Sequence, residues 1–373
     1  MMSSILGSSC RRSSSWRSMN GRPDSLFPRR PKNTGTQCLS RRSPQVPERS
    51  GNNHRRKEMS RNSMLRYDDR VAIVTGAGRG VGRAHALMLA SRGCSVLVND
   101  IATEDDSTGP AHAVVEEIVA SGGRAAVNED SVVDNAAQIV SAAADAFGRV
   151  DILINNAGTT EFGEFDTLSV ESYERQIALH LMGPIELCRA AWPHLKRSGA
   201  GRILNTISAG VLGHPNMANY SAGKGGLLSF SGALAAAGTQ FQINVNCIAP
   251  FAWSRLPEAN ADENLRAFLS KNCTPDRVAA FAAWLVHHET TVSGAAFEVG
   301  GGAAARLILA RGSFVRARED SPDAWAECGT EVSRIEGLFP LTTGGDLVNA
   351  HMTSIHSEGS FDFSDASAGG MSR

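Results

Sequence analysis

The sequence has no CxxC pair, no apolar run long enough to span a bilayer and almost no net charge. Its seven cysteines (Cys10, Cys38, Cys94, Cys188, Cys247, Cys273, Cys328) are scattered over 373 residues, which argues against a zinc ribbon or a disulfide scaffold and suits a reducing compartment. No apolar stretch reaches the roughly 18 residues of a spanning helix, and the N-terminus lacks the apolar core of a secretory signal, so neither membrane insertion nor export is expected. The C-terminal Met371-Ser372-Arg373 lacks the usual peroxisomal Ser-Lys-Leu form, which leaves the cytoplasm as the expected location. A net charge of −1 gives no reason to expect a nucleic-acid partner.

What is present is a 42% hydrophobic, 20% charged chain, the balance of a soluble protein with a substantial core. The near-neutral average hides two segments. Residues 1–64 hold 14 basic against 3 acidic residues, and the remainder 23 against 35. Tracts such as Arg11-Arg12-Ser13-Ser14-Ser15 show no periodicity and cannot bury enough apolar area to offset chain entropy, which predicts a disordered Ser/Arg-rich extension over 1–64. A transit peptide, a nucleic-acid-binding tail and sequence upstream of a true start at Met64 all fit that composition. A chain starting at Met64 is expected to keep full activity.

From Arg70 onward, short β-branched runs alternate with longer helical patterns, the signature of a parallel sheet wrapped by helices. Strands are expected at Val71–Val74, Ser95–Asn99, Ala125–Val127, Ile152–Ile154, Ile203–Asn205, Ile243–Asn246 and Ala296–Val299. The pattern predicts a single Rossmann-type α/β domain over 65–302, followed by a C-terminal helical extension and loose tail over 303–373. Ser321-Pro322 reads as an N-cap with proline at the first helical position, opening a helix through about Ile335.

The first strand runs into Thr75-Gly76-Ala77-Gly78-Arg79-Gly80-Val81-Gly82, and a helical pattern follows at once. That context raises a glycine pattern above chance. Gly76 permits a tight turn, Gly80 lets the backbone approach a pyrophosphate, and Gly82 lets the helix pack on the sheet. Asp100 ends the second strand, where an acidic side chain would bond the adenosine ribose hydroxyls. A 2′-phosphate about 4 Å from that carboxylate would meet roughly 4 kcal/mol of repulsion at an effective dielectric near 20, so NAD is expected over NADP. Arg79 is the counter-argument, as a guanidinium that could pair with such a phosphate, or else a solvated loop charge. Asp130, with Ser131 beside it, is placed either to meet the adenine amino group or to cap a helix.

The fourth strand ends in Asn155-Asn156-Ala157-Gly158, and downstream come Ser208 and Tyr220-Ser221-Ala222-Gly223-Lys224. Spacing of four on a helix puts Tyr220 and Lys224 on one face. Tyrosine ionises near pH 10, so acid–base use at neutral pH needs a shift of about three units, which a neighbouring ammonium and a positive nicotinamide can supply. Ser208 would hold the substrate oxygen beside the phenol.

Together TGAGRGVG, Asp100, NNAG, Ser208 and YSAGK resemble the short-chain dehydrogenase/reductase superfamily. The stretches VAIVTGAGRGVGRAHAL, FGRVDILINNAG, HLMG, ANYSAGKGGL, NCIAP and FEVGGG resemble, more narrowly, the (3R)-hydroxyacyl-CoA dehydrogenase part of peroxisomal multifunctional enzymes. The resemblance runs from about Tyr67 to Ile355. It implies a seven-stranded parallel sheet in order 3-2-1-4-5-6-7 and NAD-dependent oxidation of a 3-hydroxyacyl thioester, with Ser208, Tyr220 and Lys224 in the catalytic roles. It further implies that Asn156, Ala157, Gly158, Tyr220, Lys224 and Pro250 join Gly76, Arg79, Gly80, Val81, Gly82, Asp100, Asp130 and Ser131 around the cofactor. A homodimer or homotetramer pairing through the helices of His180 and Tyr220 is also implied. A steroid or other secondary alcohol as substrate, and a non-catalytic NAD-binding protein, are the competing readings.

Three positions depart from the family pattern. Ser208 lies one position closer to Tyr220 than usual, with Ile207 where the serine would fall. His180 stands where the superfamily has an asparagine supporting a water relay to the lysine; a relay role and a plainly packed histidine are both open. Pro250-Phe251 replaces the usual proline-glycine. His287-His288-Glu289 reads as a solvated helix end and not a metal site, because adjacent helical residues do not converge on one ion. Trp192, Trp253 and Trp284 are expected in the core or an interface, with Trp253 the candidate to line the substrate pocket. Cys188 and Cys247 are expected as small core residues.

Overall fold

The structure, a computed structural model, describes residues 64–102, 109–252, 263–335, 337–341 and 344–355. The expected 1–64 extension, apart from Met64, the substrate-pocket role of Trp253 and the loose tail beyond Ser357 lie outside the described residues.

Seven short strands alternate with helices: β1 (Val71–Thr75), α1 (Gly80–Ala90), β2 (Ser95–Asn99), α2 (Gly109–Ala120), β3 (Arg124–Asn128), α3 (Ala136–Phe147), β4 (Ile152–Asn155), α4 (Val170–Ile177), α5 (Gly183–Ser198), β5 (Arg202–Thr206), α6 (Ala218–Gly238), β6 (Asn244–Phe251), α7 (Glu263–Asn272), α8 (Pro275–Val286) and β7 (Ala295–Gly300). They form a parallel sheet in order β3-β2-β1-β4-β5-β6-β7, a Rossmann-like α/β fold. Successive residues of the central strands enter opposite cores. Ala72, Val74, Val96, Val98, Ile152 and Ile154 belong to the cluster under α1, α2 and α8, while Ile73, Leu97 and Leu153 belong to the one under α3 and α5. A strand buried on both faces has no reason to alternate apolar with polar, which is why these strands read as continuous apolar runs.

An eighth strand, β8 (Ala303–Leu307), extends the sheet antiparallel to β7. This corrects the expectation of seven strands, and the extension expected to be helical carries strands as well as helices. Gly301 and Gly302 carry φ of +59° and +84°, the paired left-handed geometry of a tight hairpin turn. The strand itself is mostly alanine and exposed, so it has no apolar period to announce it. Beyond it, β9 (Leu309–Arg311) pairs antiparallel with β10 (Phe339–Leu341), α9 runs from Pro322 to Val332, and α10 from Gly344 to Ile355. Ser321 Oγ accepts from the Ala324 amide at 3.1 Å, the N-cap expected from Ser321-Pro322.

Because the order reverses between β1 and β4, the loops leaving their C-terminal ends part in opposite directions, and a crevice opens there. The opposite end is tied by Asp151, whose buried carboxylate meets Arg70, Arg149, Ser198 and the Val71 amide. No described helix is long and apolar enough to cross a membrane.

Candidate active site

β1 and β4 deliver their terminal residues to the two sides of that crevice. Thr75 Oγ1 accepts from the amides of Asn156 and Ala157 at 3.0 and 3.1 Å, and Asn156 Nδ2 donates to Thr75 O and Gly76 O at 3.0 and 3.1 Å. A Cβ on Gly82 would stand 2.0 Å from Gly76 O, so only glycine lets the first turn of α1 close onto the loop. Arg79 caps α1 without a side-chain cap bond, no acidic residue occupies the first turn, and nothing lies within 4 Å of where a Cβ on Gly80 would be. Uncapped amides at a helix N-terminus beside open space fit a pyrophosphate.

Asp100 Oδ2 accepts from the Gly78 amide at 2.9 Å. Burial lifts its pKa, while the amides of Gly78 and Ile101 and the charge of Arg79 pull it back. Asp130 stands one strand over. Its Oδ2 accepts from Asn128 Nδ2 at 2.7 Å and its carbonyl from Asn99 Nδ2 at 2.9 Å. The N-cap of α3 is Asn135, so Asp130 is not the helix cap that the sequence also allowed. Ser131 Oγ donates to Asp134 at 3.0 Å, and Val81 packs half-buried on the first core. Pro250 lies within β6, which runs further than the sequence suggests because β7 pairs with it as far as Phe251.

At the chemical end, Ser208 follows β5 and caps a single 3₁₀ turn, Ala209–Leu212, accepting from the Gly210 amide at 3.1 Å. The Ser208 hydroxyl acts on the Tyr220 phenol, drawing its pKa down against the effect of burial. A Cβ on Gly210 would stand 3.3 Å from the Tyr220 ring and 3.6 Å from Ser208 Oγ. The shortened spacing therefore still brings hydroxyl and phenol together. Tyr220 and Lys224 share one face of α6, with Nζ 5.7 Å from the ring centroid. Lys224 is buried and donates to Thr206 O at 2.5 Å.

Burial pushes the Tyr220 phenol up, with the neighbouring Ser208 hydroxyl opposing it. The Lys224 ammonium is brought down to about 7 by burial and directs its bond at Thr206.

His180 sits in a one-turn π segment, Ala178–Met182, between α4 and α5. Its Nε2 lies 2.7 Å from Thr159 O. A carbonyl only accepts, so Nε2 carries the proton and Nδ1 is a buried acceptor without a protein partner. The ring meets Tyr220 edge-on, centroids 4.9 Å apart at 81°. Burial, together with the facing charge of Lys224, brings its pKa down to about 3, which keeps it neutral. Thr159 and Thr206 thus support the site through their carbonyls, a role no side-chain motif announces.

Other expectations divide. Cys188 and Cys247 are buried, their thiols pushed up to about 12 and about 11 by burial. Trp192 packs edge-on against Phe241 beside the second core, whereas Trp284 is exposed at the surface and lies tilted against Phe281. His287 is not solvated as expected: it is buried at the end of α8, against Tyr67, with Nε2 3.1 Å from Arg66 O. Among the described residues no group of three or more His, Cys, Asp or Glu is placed to hold a metal.

The model of the short chain dehydrogenase family matches residues 70–260, which spans the whole of this crevice. The chain is a short chain dehydrogenase. As such it is an oxidoreductase acting on CH–OH groups. It is 42% identical over 262 residues to the peroxisomal hydratase-dehydrogenase-epimerase of Neurospora crassa, covering 69% of this chain and 29% of that protein. It is 40% identical over 271 residues to the peroxisomal multifunctional enzyme type 2 of Mus musculus, covering 70% and 36%. A solved short chain dehydrogenase from Mycobacterium avium superposes with a TM-score of 0.63 at 36% identity, over 71% of this chain and 94% of that one. The dehydrogenase therefore spans about a third of the length of the curated relatives it matches. Both are named peroxisomal, which overturns the cytoplasmic location expected from the sequence. The absence of an export signal did not separate cytosol from peroxisome, because import is read by a receptor and not by the physical chemistry of the fold.

Proposed function

We propose that this dehydrogenase oxidises a (3R)-hydroxyacyl-CoA to its 3-ketoacyl-CoA with NAD. The observation that carries the reading is the gathering of Ser208 Oγ and the Tyr220 ring around Gly210, with Lys224 on the same helix face as Tyr220, beside an open glycine loop. The thioester rests on the stretches shared with the dehydrogenase part of the multifunctional relatives. Bound NAD would supply the hydride acceptor. The amides around Gly80 would hold its pyrophosphate, Asp100 the adenosine ribose, Asp130 the adenine edge, and Lys224 the nicotinamide ribose. Ser208 holds the substrate hydroxyl, and Tyr220 as phenolate accepts the O–H proton while the C3–H bond gives up its electron pair. His180 acts behind them as a positioning residue, its Nδ1 free to accept from a water facing Lys224. Residues 65–302 form the catalytic unit, 303–373 extend it, and two or four copies pair through the helices bearing His180 and Tyr220.

Mixing the protein with NAD and matched (3R)- and (3S)-hydroxyacyl-CoA, beside a steroid panel, tests this through absorbance of the reduced nicotinamide. The (3R) thioester should turn over best. Tyr220→Phe should lower turnover at least about 100-fold with little change in NAD affinity. A wild-type rate from Tyr220→Phe overturns the chemistry, and turnover of steroids alone overturns the substrate.

A further inference from the structure

Two loops lie at the chemical end, one against the Tyr220 ring and one against His180, which packs on that ring. One is the 3₁₀ turn that begins at Ser208, with Gly210 against the phenol. The other leaves Gly158 under His180 and runs to the N-cap of α4 at Ser169. This second loop is fixed at three places: Thr159 O to His180 Nε2 at 2.7 Å, Glu161 to Arg175 at 3.1 Å, and the Gly163 amide to Asn216 O at 3.0 Å, which ties it to the first loop. Between Glu161 and Gly163, both held, Phe162 is 56% exposed. At the end of the 3₁₀ turn, four residues past Ser208, Leu212 is 84% exposed while Gly213 N closes onto Gly210 O at 2.9 Å. Phe165 at the loop tip is 75% exposed.

These side chains are not at the surface through slack backbone. Each is presented to water by a segment whose neighbours are hydrogen-bonded in place, and apolar area held out in this way is available to an apolar ligand. The loops that present them also carry the proposed catalytic serine and the contacts to its tyrosine. An apolar group leaving the crevice from a carbon whose oxygen is held by Ser208 and Tyr220 passes the loops that bear these side chains.

We infer that Phe162 and Leu212, with Phe165 beside them, form a rim that receives the acyl tail of the substrate and sets a preference for long over short chains. The inference deepens the hydroxyacyl reading and rests on it for the thioester, but the rim itself recognises only an aliphatic tail. Covering two or three methylenes is enough to shift kcat/KM by tenfold or more.

The test compares kcat/KM for four-carbon and ten-carbon (3R)-hydroxyacyl-CoA in the wild type and in the double variant Phe162→Ser/Leu212→Ser. Both side chains are exposed, so folding is not at stake, and a melting curve checks it. The ten-carbon to four-carbon ratio should exceed about ten in the wild type and fall at least about tenfold in the variant, through KM more than kcat. A parallel series of secondary 2-alkanols of four to ten carbons reads the same rim without a thioester. If no hydroxyacyl-CoA turns over but the alkanol ratio falls in the variant, the substrate reading fails and the rim stands. A ratio within twofold of wild type in whichever series turns over overturns the rim. So does a variant whose only change is its oligomeric state by light scattering, which would assign these side chains to a contact with a second copy.

Discussion

Lys224 Nζ donates to the carbonyl oxygen of Thr206 at 2.5 Å from a fully buried position, with its pKa pulled down to about 7. Burying an ammonium with one neutral acceptor is unfavourable for the fold, and the cost depends on pH. Below pH 7 the lysine is charged in both folded and unfolded states, so the cost is present in full. Between about 7 and the ordinary value of 10.5 the unfolded chain binds the proton and the folded chain does not, so stability rises with pH across that window. Lys224→Met should abolish turnover yet be more stable than wild type by roughly 1–2 kcal/mol at pH 6, with the gap narrowing by pH 9. Urea denaturation at the two pH values checks it. A gap that is flat or widens with pH would mean that Lys224 is not the strained group.

His180 makes a different prediction, because its neutral ring both donates to Thr159 and packs on Tyr220. His180→Ala removes the donor and opens a cavity beside the phenol, and should lower kcat by about 10- to 100-fold. His180→Asn restores a donor of similar reach and should recover part of that loss. With a pKa near 3 the imidazole does not titrate in the assay range, so neither variant should move the limbs of the pH–rate profile between pH 5 and 9. A shifted limb would show that the histidine itself exchanges a proton during turnover.

Arg202 is buried without any acidic partner among the described residues and donates to the carbonyls of Gly201, Gln242, His287, His288 and Thr290 at 2.6–3.4 Å. It stitches the start of β5 to the turn between α8 and β7, and burial brings its pKa down to about 10. A lysine cannot span five acceptors in a fork. Arg202→Lys should therefore cost about 2–4 kcal/mol, and Arg202→Met as much or more, since both leave buried carbonyls unpaired. Thermal melting with cofactor absent reads this. A loss under half a kcal/mol would mean that water replaces the guanidinium.

Much of this was legible in the sequence where one physical cause dominates. Strands buried on both faces show as β-branched runs, the Gly76–Gly82 loop shows because its backbone must close on itself, and the Tyr220–Lys224 pair shows because a helix repeats. What escaped depends on the assembled fold. β8 is an exposed alanine strand held by pairing and a glycine turn, not by a buried face. The π turn at His180 follows no periodicity. Arg202 and Lys224 both spend their charge on carbonyls distant or adjacent in the chain, and a carbonyl belongs to every residue, so no pattern of side chains marks the acceptor. The low pKa of Lys224 follows from burial, which spacing alone does not reveal.

On the proposed reading, Asp100 carries the choice between the two nicotinamide dinucleotides. Its carboxylate already accepts from the Gly78 amide, so it is fixed beside the glycine loop before any cofactor arrives, and it faces the charge of Arg79. A fixed carboxylate accepts well from ribose hydroxyls and repels a 2′-phosphate. Asp100→Asn is the informative change, because the amide oxygen keeps an acceptor for Gly78 while the charge disappears. Repulsion of a few kcal/mol at a partly buried site corresponds to a large ratio, discounted here because Arg79 and solvent screen it. The NADP to NAD ratio of kcat/KM should then rise at least about tenfold, mainly through a lower KM for NADP. Arg79→Ala in the same background should give part of that gain back, since the guanidinium is released to meet the phosphate once the carboxylate is gone. If Asp100→Asn leaves the ratio within twofold of wild type, or the wild type already prefers NADP, discrimination does not reside at the end of β2.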